Sequence, residues 1–593
     1  MQDALTLLFG EKLPAPVQGA LGKLLLLDRF NELYDEVRRK SGGQSFVEQF
    51  LETMHVHPRV SATDLEWVPK SGPVVAVANH PFGLVEGAVL AAMLGAVRAD
   101  VKILANHMLA SLPEARKYCI FVDPFGEPES IRMNLSGLKS SIAWLRQGGV
   151  LGVFPAGEVA HLNLKERAVV DPEWNHNIAR LIRLTSAVVL PVYFLGANSA
   201  LFQLLGFLHP RVRTALLPHE LLNKHDRPIE LRIGKPIGAD KVRFFQDDVA
   251  LTRYLRHRTY LLKNREAVKH GRRFAAEALA ALTVATPVES MAGDIARLGK
   301  DRMLAESGEF QVLLGKADEM PSVLEEIGRL REIAFRHVGE GTGDSVDLDS
   351  FDRYYWHLFV WNRVKQEVVS AYRLGPSDEI VERRGPGGLY TNQLFAWKSP
   401  FLERIQPALE LGRSFVRLEY QKTFAPLLLL WRGIGQFLVR NPKYRMLFGP
   451  VSISADYTRA SRQLMVGFLN TYHQSPELAP LVEARNPFRV RPSMRTHELV
   501  STAVWDIEEL SALIADIEID RKGVPILLKQ YLKLGGELVA FNVDRNFSNA
   551  LDGLIVVDLH KTDARVLQRY MGAEGAASYL SHAVQSGVVS SLR

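Results

Sequence analysis

The stretch that decides the fold is GPVVAVANHPFGLVEG, residues 72–87. Its run of small and β-branched apolar residues from Val74 to Ala78 predicts a buried strand. Pro81 follows almost at once, and because proline lacks a backbone donor and biases the preceding residue away from helical geometry, the strand must end there. His80 is therefore predicted at the end of a strand, and a helix-like apolar run begins at Glu86 and Gly87.

A histidine at a strand end, with a carboxylate about one turn later, can serve as a general base and its orienting acid. Glu86 would accept a hydrogen bond from one ring nitrogen of His80 and fix the tautomer. The other nitrogen could then take a proton from a hydroxyl group. The alternative is structural, since a histidine can cap a helix and acids are enriched in the first turn of helices. Spacing alone leaves both interpretations open.

Four pieces of sequence carry a family resemblance. Asn79 and His80, followed by Glu86, resemble the NHxxxxD box of the glycerolipid acyltransferases of the lysophosphatidic-acid type. Three further pieces follow in the order of that family: CIFVDPFG at 119–126, FPAGE at 154–158 and VLPV at 189–192. The resemblance implies that His80 and Glu86 are catalytic in an O-acyltransferase, and that the substrate-binding residues are Asn79, Asp123, Phe154, Pro155, Gly157 and Glu158.

The chain departs from that family pattern at three positions. The acid lies one residue late, with Val85 in the usual place of the aspartate. Asp123 stands where an arginine is usual, and no arginine follows the FPAG core, because Glu158 comes next. In the family these arginines are thought to hold the phosphate of the acceptor, and acids in their place would repel it. We expect an acceptor other than a simple glycerol phosphate, for example one that carries an amine.

Length and composition limit the class of protein. With 593 residues, 47% of them hydrophobic and 23% charged, the chain predicts a globular protein of at least two domains. One cysteine, Cys119, excludes an intramolecular disulfide framework and a multi-cysteine metal site. We expect no metal and no cofactor beyond a thioester co-substrate. No apolar run reaches the roughly 18–20 residues of a membrane span, and residues 1–9 lack the features of a signal peptide.

The net charge of +6 favours anionic partners. An anionic lipid surface and an acidic carrier protein both fit. Nucleic acid fits poorly, because the basic residues are scattered and no platform of basic and aromatic residues occurs. A better candidate for the edge of a membrane is the apolar stretch 201–208, followed by Arg211 and Arg213. A charged surface without a partner remains the alternative.

Alternating elements predict an α/β domain with a mainly parallel sheet. The predicted strands are 101–104, 120–122, 150–154, 188–194 and 229–233, and the predicted helices are 131–147 and 177–185. Ligands of such sheets collect at the carboxyl ends of strands, where His80 and Gly157 fall. We divide the chain into a helical segment 1–50, an O-acyltransferase domain 51–262, a linker 263–302 that contains the basic run 269–273, and a second α/β domain 303–593.

The second half carries a separate resemblance, to the N-acyltransferase domain of ornithine-lipid synthases. That domain is related to the GNAT fold and to the acyl-homoserine-lactone synthases. The matching pieces are LREIAF at 330–335, DLDSFD at 347–352, YRL at 372–374, LELGRS at 409–414, LWRGI at 430–434, LFG at 447–449 and VPILLKQYLKLG at 524–535. In this half we also predict strands at 310–313, 368–374 and 414–418 and a helix within 320–337.

Such a domain must transfer an acyl group from a thioester to an amine. The amine attacks only when neutral, so a carboxylate, or a water held by one, should take its proton. In GNAT folds, backbone amides at a splayed strand stabilise the thioester oxygen. By the resemblance, the amino-acid acceptor and the donor are positioned by Asp349, Asp352, Arg373, Glu410 and Arg413. Structural ion pairs are the alternative for these residues.

The favoured hypothesis is a bifunctional enzyme that makes an amino-acid-containing membrane lipid, most plausibly an ornithine lipid. The second half would N-acylate the amino acid with a 3-hydroxyacyl thioester of acyl carrier protein or coenzyme A, and the first half would O-acylate the new hydroxyl. We expect it on the inner face of the bacterial cytoplasmic membrane. In the second hypothesis the C-terminal half only docks an O-acyltransferase to a carrier or membrane. A cytolytic protein is disfavoured. Head group, chain length, donor and oligomeric state stay open.

Overall fold

The computed structural model describes residues 27–39, 45–123, 128–164, 166–205, 213, 216–265, 279–423, 425–489, 504 and 506–585. The chain divides into two compact units, Met1–Glu266 and Ala267–Arg593. Each unit is an α/β fold, as predicted. Three predicted features lie wholly or partly outside the described residues: the helical segment 1–50, the apolar stretch 201–208 with Arg211, and the basic run 269–273.

The first unit alternates strands and helices along the chain. Its strands are β1 His57–Arg59, β2 Val74–Ala78, β3 Val101–Asn106, β4 Cys119–Val122, β5 Val150–Val153, β6 His161–Asn163, β7 Ala168–Val170, β8 Val188–Phe194 and β9 Pro228–Ile233. Its helices are α1 Leu27–Arg39, α2 Phe46–Thr53, α3 Ala62–Leu65, α4 Val85–Gly95, α5 Ala115–Tyr118, α6 Pro128–Arg146, α7 Asn177–Thr185, α8 Ala200–Leu205, α9 Leu217–Leu222, α10 Ala239–Phe244 and α11 Asp248–Leu261.

Seven strands form the main sheet of the first unit, in the order β1-β9-β8-β2-β5-β3-β4. All neighbours run parallel except β8 and β9. β2 is the central strand, and all five of its residues are buried, as a strand covered on both faces requires. The carboxyl ends of β5, β2 and β8 therefore lie side by side, where an open parallel sheet binds its ligands.

The second unit is built on an eight-stranded sheet and two short strands. The strands are β10 Met303–Ser307, β11 Phe310–Gly315, β12 Trp356–Asn362, β13 Glu367–Pro376, β14 Phe395–Trp397, β15 Ala408–Val416, β16 Met446–Ile453, β17 Val482–Ala484, β18 Glu537–Asp544 and β19 Ala550–Asp558. The helices are α12 Val288–Leu298, α13 Pro321–His337, α14 Ser377–Arg384, α15 Ser399–Ile405, α16 Ala425–Arg440, α17 Arg459–Tyr472, α18 Ile507–Ile517, α19 Ile526–Lys533, α20 Ala564–Met571 and α21 Ala573–Gln585.

The large sheet of the second unit has the order β10-β11-β12-β13-β15-β16-β19-β18. Only β15 and β16 run parallel, and they pair at just three positions, from Ala408–Met446 to Glu410–Phe448. Beyond these positions β15 pairs only with β13, and β16 only with β19. The two strands thus part after Glu410, which is the splayed arrangement expected of a GNAT fold.

One predicted element of the second unit is wrong. We expected a strand at 414–418, but β15 runs from Ala408 to Val416, and a 3-10 turn covers Leu418–Tyr420. The register of β15 against β13 shifts at Arg413, whose φ of +51° marks a bulge. The bulge breaks the alternation of apolar and polar residues, so the pattern alone placed the strand too late.

Part of the predicted linker is helical. The predicted linker 263–302 contains the helix Val288–Leu298, which packs on α13 in the second unit. Its Asp294 is buried and accepts hydrogen bonds from the backbone N–H groups of Ser322 and Val323.

In the described part of the chain, no helix is both long and apolar enough to cross a membrane.

Candidate active site

His80 and Glu86 meet at the carboxyl end of β2. The chain leaves the strand at Ala78, turns through Pro81 and Gly83, and enters α4 at Val85. Gly83 has a φ of +112°, a conformation that favours glycine. This turn brings Glu86 Oε1 to 2.8 Å from His80 Nδ1. The imidazole is partly exposed and the carboxylate is fully buried, so a substrate can reach the histidine but not its partner.

The same oxygen of Glu86 accepts two more hydrogen bonds. The backbone N–H of Phe82 lies at 2.8 Å and that of Gly83 at 2.7 Å. Burial opposes ionisation of Glu86, but the charge of His80 and these donors outweigh it, so the pKa of Glu86 falls below its usual value. Glu86 is therefore an anion that holds the Nδ1–H tautomer of His80 and leaves Nε2 to accept a proton.

A second carboxylate, Asp171, holds the backbone of His80. The N–H of His80 donates to Asp171 Oδ1 at 3.1 Å, and Trp174 Nε1 donates to Oδ2 at 2.9 Å. Burial raises the pKa of Asp171, while these two donors oppose the rise. Sequence reasoning missed this residue. The available signal was an acid directly after the apolar strand β7 and before Pro172.

The FPAGE segment lies beside the histidine. Phe154 follows β5, and its ring stacks on the imidazole of His80 with centroids 4.6 Å apart and planes at 24°. The segment is fixed by its backbone, since the N–H of Ala160 donates to the carbonyl of His80 at 2.7 Å. Gly157 has a φ of +68°, which permits the tight turn after β5. The ring and the turn hold the imidazole in one plane.

The remaining predicted residues of the first unit lie in different surroundings. Asn79 is buried, and its amide bonds the backbone of Phe194 rather than pointing to solvent. Asp123 follows β4 at the edge of the sheet, three strands from β2, with its carboxylate 4.0 Å from His107. Glu158 is half exposed and lies 3.3 Å from Arg213. The fold does not place Asp123 beside His80.

In the second unit, four of the five predicted charged residues form one buried network. Arg373 Nη1 lies 2.7 Å from Asp349 and 3.3 Å from Asp352. Arg413 Nη2 reaches Asp349 at 3.7 Å, and Arg331 donates to Asp352 at 2.8 Å. Burial opposes ionisation of Asp352, but the neighbouring arginines lower its pKa below the usual range. The network is an alternating row of fixed charges inside the fold.

Glu410, the fifth residue, anchors the aromatic side of this network. Its Oε1 accepts from the N–H of Thr391 at 2.7 Å, and its Oε2 accepts from the N–H of Tyr390 at 3.1 Å and from the hydroxyl of Tyr355. The guanidinium of Arg373 lies over both tyrosine rings, 5.2 Å from Tyr355 and 5.1 Å from Tyr390. Glu410 therefore fixes the rings on which the cation rests.

Comparison with known proteins agrees with this division. A family model described as acyltransferase matches residues 41–268, and one described as an acetyltransferase (GNAT) domain matches residues 330–431. The fold and these two matches define an acyltransferase with two α/β domains, of which the second is similar to the GNAT proteins.

Three curated relatives narrow the class. A glycine N(alpha)-acyltransferase of Phocaeicola vulgatus is 31% identical over 42% of this chain and 81% of the relative, and one of Bacteroides thetaiotaomicron is 33% identical over 42% and 78%. A lyso-glycine lipid O-acyltransferase of Bacteroides thetaiotaomicron is 26% identical over 38% of this chain and 82% of that protein. At these identities and coverages, the chain belongs to the family of acyltransferases that includes the first two relatives.

A solved structure is also similar to part of the chain. It is the crystal structure of the 1-acyl-sn-glycerophosphate acyltransferase of Thermotoga maritima, at 18% identity and a TM-score of 0.24, over 43% of this chain and 91% of the other.

Proposed function

We propose that the chain is a bifunctional acyltransferase that makes an amino-acid-containing lipid. The second unit N-acylates the amino acid with a 3-hydroxyacyl thioester. The first unit then O-acylates the hydroxyl group that the first acyl chain carries. The two reactions are consecutive, because one produces the hydroxylated lyso-lipid that the other consumes. Joining both units in one chain raises the effective concentration of the poorly soluble intermediate at the first unit, which consumes it.

One observation carries this proposal. The single chain is similar both to a glycine N(alpha)-acyltransferase and to a lyso-glycine lipid O-acyltransferase of the same organism, Bacteroides thetaiotaomicron. In that organism the two activities belong to separate proteins. A chain that is similar to both, with a site in each of its units, fits the two consecutive steps.

For O-acylation, we assign the base to His80. Its Nε2 takes the proton of the acceptor hydroxyl as the oxygen attacks the thioester carbonyl carbon, and the thiolate leaves with the C–S electron pair and receives that proton. Glu86 stabilises the imidazolium formed in between, because it is ionised, buried and 2.8 Å from Nδ1. Proton transfer by a positioned base of this kind is worth roughly 10²–10⁴ in rate.

The charges near the first site support an acceptor without a phosphate. The arginine that follows the FPxG core in the resembled family is missing here, where Glu158, Val159 and Ala160 stand, and the nearby Arg213 is bound to Glu158. A phosphate there would have to compete with this carboxylate for the guanidinium of Arg213. An amino-acid lyso-lipid makes a smaller demand of this kind, since its head group carries one singly charged carboxylate in place of a phosphate of about two charges.

For N-acylation, the gap between β15 and β16 supports entry of the thioester. The three paired positions end at Glu410 and Phe448, and the backbone beyond them is available to hold the donor, as in GNAT folds. The network of Asp349, Asp352, Arg373 and Arg413 borders β15 and supports binding of a charged amino acid. These features of the two units support the two proposed steps.

The head group is the finer part of the proposal. Ornithine was the first candidate from the sequence, but nothing in the comparisons supports ornithine specifically. Glycine now takes its place, because both N-acyltransferase relatives act on glycine according to their names. The donor is a thioester of acyl carrier protein or of coenzyme A.

We also propose that the protein works at an anionic membrane surface. On α8, Leu201 and Leu204 are 49% and 65% exposed. Exposed leucines on a surface helix suit the boundary between lipid head groups and acyl chains, and the net charge of +6 favours an anionic surface. Arg213 contributes little to such contact, because its side chain is mostly buried against Glu158.

The decisive experiment is mass spectrometry of the total lipids of a bacterial host that makes no amino-acid lipids. Expression of the chain should add species with an amino-acid head, an amide-linked hydroxy acid and an ester-linked second chain, and the mass names the head group. His80→Ala should accumulate the monoacyl lipid, whereas Arg413→Ala should remove both products but still O-acylate a supplied lyso-lipid.

A second outcome would support the docking hypothesis instead. If only the chain composition of ordinary phospholipids changes, and substitutions at Glu410 and Arg413 leave it unaffected, the chain is a lysophospholipid O-acyltransferase. The second unit would then bind a carrier protein or the membrane. If no amino-acid lipid forms with any acceptor, the bifunctional proposal is overturned.

A further inference from the structure

A second polar cluster of the second unit lies outside the predicted network. Asp552 of β19 stands directly opposite Ser452 of β16 on one side and Asn542 of β18 on the other. Directly opposed residues of antiparallel strands project from the same face, about 5 Å apart. All three side chains therefore lie on one face, and Asp552 and Asn542 are 5% and 1% exposed.

Glu340 completes this cluster from the loop after α13. Its Oε2 accepts a hydrogen bond from Ser452 Oγ at 2.9 Å, and the residue is 6% exposed. Desolvation is the main cause that raises the pKa of Glu340 to about 7, with a further contribution from Asp456. Burial, together with Asp544 and Glu340, also holds the pKa of Asp552 well above its usual range, and Arg413 opposes this rise.

An unsatisfied donor points into the same place. Asn542 Oδ1 accepts from the N–H of Asn486 at 2.7 Å, whereas its Nδ2 is buried and has no partner among the described residues. A buried N–H group without a partner is costly, and such groups in native folds call for an explanation. The carboxylate of an amino-acid acceptor would be such a partner, beside carboxylates suited to its ammonium group.

The cluster lies at the separated part of β16. Ser452 is four residues beyond Phe448, the last position at which β16 pairs with β15. The nearest cation from β15 is Arg413, in the bulge of the same separated region. An acceptor held here would face the gap that we assign to the thioester.

We propose that Glu340 and Asp552 form the site that binds the amino group of the acceptor and takes up its proton. This inference rests on the proposed N-acylation. Two buried carboxylates that interact titrate as a pair and do not readily ionise together. The pair therefore keeps one proton at neutral pH and has room for a second, which an ammonium group can supply.

The proton and electron changes balance with this pair as the acceptor. The ammonium of the amino acid gives one proton to the pair, and the neutral amine attacks the thioester carbonyl carbon. The C–N bond forms, the C–S bond breaks, and the thiolate leaves with its electron pair. The thiolate takes the second amine proton, and the pair releases the first to solvent.

Other charged and titratable groups surround the pair and set its pH dependence. They come from β15, β18, the loop after β16 and the loop that Glu410 anchors: Arg413, Asp544, Asp456, Tyr457 and Tyr390. The acids favour protonation of the pair, and Arg413 disfavours it. Tyr390 joins the network of Glu410 to this cluster. Burial raises the pKa of Tyr390, and the charge of Asp552 raises it further.

The test uses the full chain, glycine and a long-chain 3-hydroxyacyl carrier-protein thioester, with N-acylation followed from pH 6 to 9. Wild-type kcat/KM for glycine should rise with pH through about 7 and then level off. Glu340→Gln should lower it about 100-fold and abolish the rise, and Asp552→Asn should lower it about 100-fold. The matched control is Asp558→Asn on the same strand, where the carboxylate pairs with Arg445; it should keep the profile.

Ser452→Ala is a milder variant that protects the test against misfolding. The Ser452 hydroxyl lowers the pKa of Glu340, so its removal should shift the rise to higher pH, an effect that a merely structural role would not produce. O-acylation of a supplied lyso-lipid reports that each variant is folded.

Two results would overturn the inference. If wild type N-acylates glycine while Glu340→Gln and Asp552→Asn keep its rate and pH profile, the pair is not the proton acceptor, although the proposed function stands. If wild type N-acylates no amino acid, the proposed function and this inference fail together.

Discussion

Asn79 is joined to Phe194, 115 residues further along the chain, by two hydrogen bonds. Asn79 Nδ2 donates to the carbonyl of Phe194 at 3.0 Å, and the N–H of Phe194 donates to Asn79 Oδ1 at 2.7 Å. Asn79, which precedes His80, thus joins the end of β8 to the end of β2. Its side chain acts here as a substitute for one more step of the sheet.

We expect Asn79→Ala to act on stability. The substitution leaves a buried N–H and a buried C=O without partners, at about 1–3 kcal/mol for each group. Urea denaturation should show this loss in the free energy of unfolding. Asn223→Ala is the matched control, since Asn223 is exposed, and should stay within about 0.5 kcal/mol of wild type. An equally small change for Asn79→Ala would mean that this bridge contributes little.

Glu86→Gln should impair O-acylation selectively. The amide keeps the size of the carboxylate but loses the charge that stabilises the imidazolium of His80, so kcat should fall by roughly 10²–10⁴. The measurement is the initial rate with a supplied lyso-lipid, alongside N-acylation by the same protein as an internal reference. Glu230→Gln, at an exposed position of β9, serves as the control. An undiminished rate would show that Glu86 does not orient the base.

Phe154 should matter through its ring. An aromatic pair contributes about 0.5–1.5 kcal/mol beyond its buried area, so Phe154→Ala should cost about tenfold in the O-acylation rate because His80 loses the surface it stacks on. Phe154→Tyr keeps the ring and should retain most of the activity. Equal losses in both variants would argue that the stacking is incidental.

Glu340→Gln should stabilise the protein at alkaline pH. Because the pKa of Glu340 is raised to about 7, the folded state binds this proton more tightly than the unfolded state does. That contribution is present below the unfolded pKa and is lost as the pH rises through about 7. The stability of the variant relative to wild type should therefore increase by about 2–3 kcal/mol between pH 5 and 8.5.

Urea denaturation at the two pH values measures this difference. Asp558→Asn should instead lower the free energy of unfolding at neutral pH. Burial raises the pKa of Asp558, but Arg445 lowers it by more, so the pKa lies below its usual value. Its contribution is present above the unfolded pKa and is lost on acidification. If the difference between Glu340→Gln and wild type did not change with pH, the glutamate would not be perturbed as the structure indicates.

Local patterns were sufficient to predict much of the fold. The strands Val74–Ala78 and Val188–Phe194 and the helix Asn177–Thr185 have the predicted bounds, because short apolar runs and a clear helical period end at residues that break them. The pairing of His80 with Glu86 was also within reach, since only six residues separate them and one turn decides their geometry.

Contacts between residues that lie far apart in the chain could not be predicted from the sequence. Asp171 reaches the N–H of His80 across 91 residues, and Glu340 meets Ser452 across 112. Asp552 comes close to Glu340 and Ser452 only because β19 pairs with β16 in this register. Nothing in the local sequence distinguishes these acids from surface carboxylates, because their burial is a property of the assembled sheet.

Gly449 marks the point at which β15 and β16 begin to part. A methyl group at this position would lie 2.1 Å from the carbonyl oxygen of Leu411, and neither backbone could yield without disturbing the sheet. Even alanine would therefore push apart the parallel pair of β15 and β16. Under the proposed function, such a variant would lose N-acylation without the loss of any charged group, and it would still convert a supplied lyso-lipid.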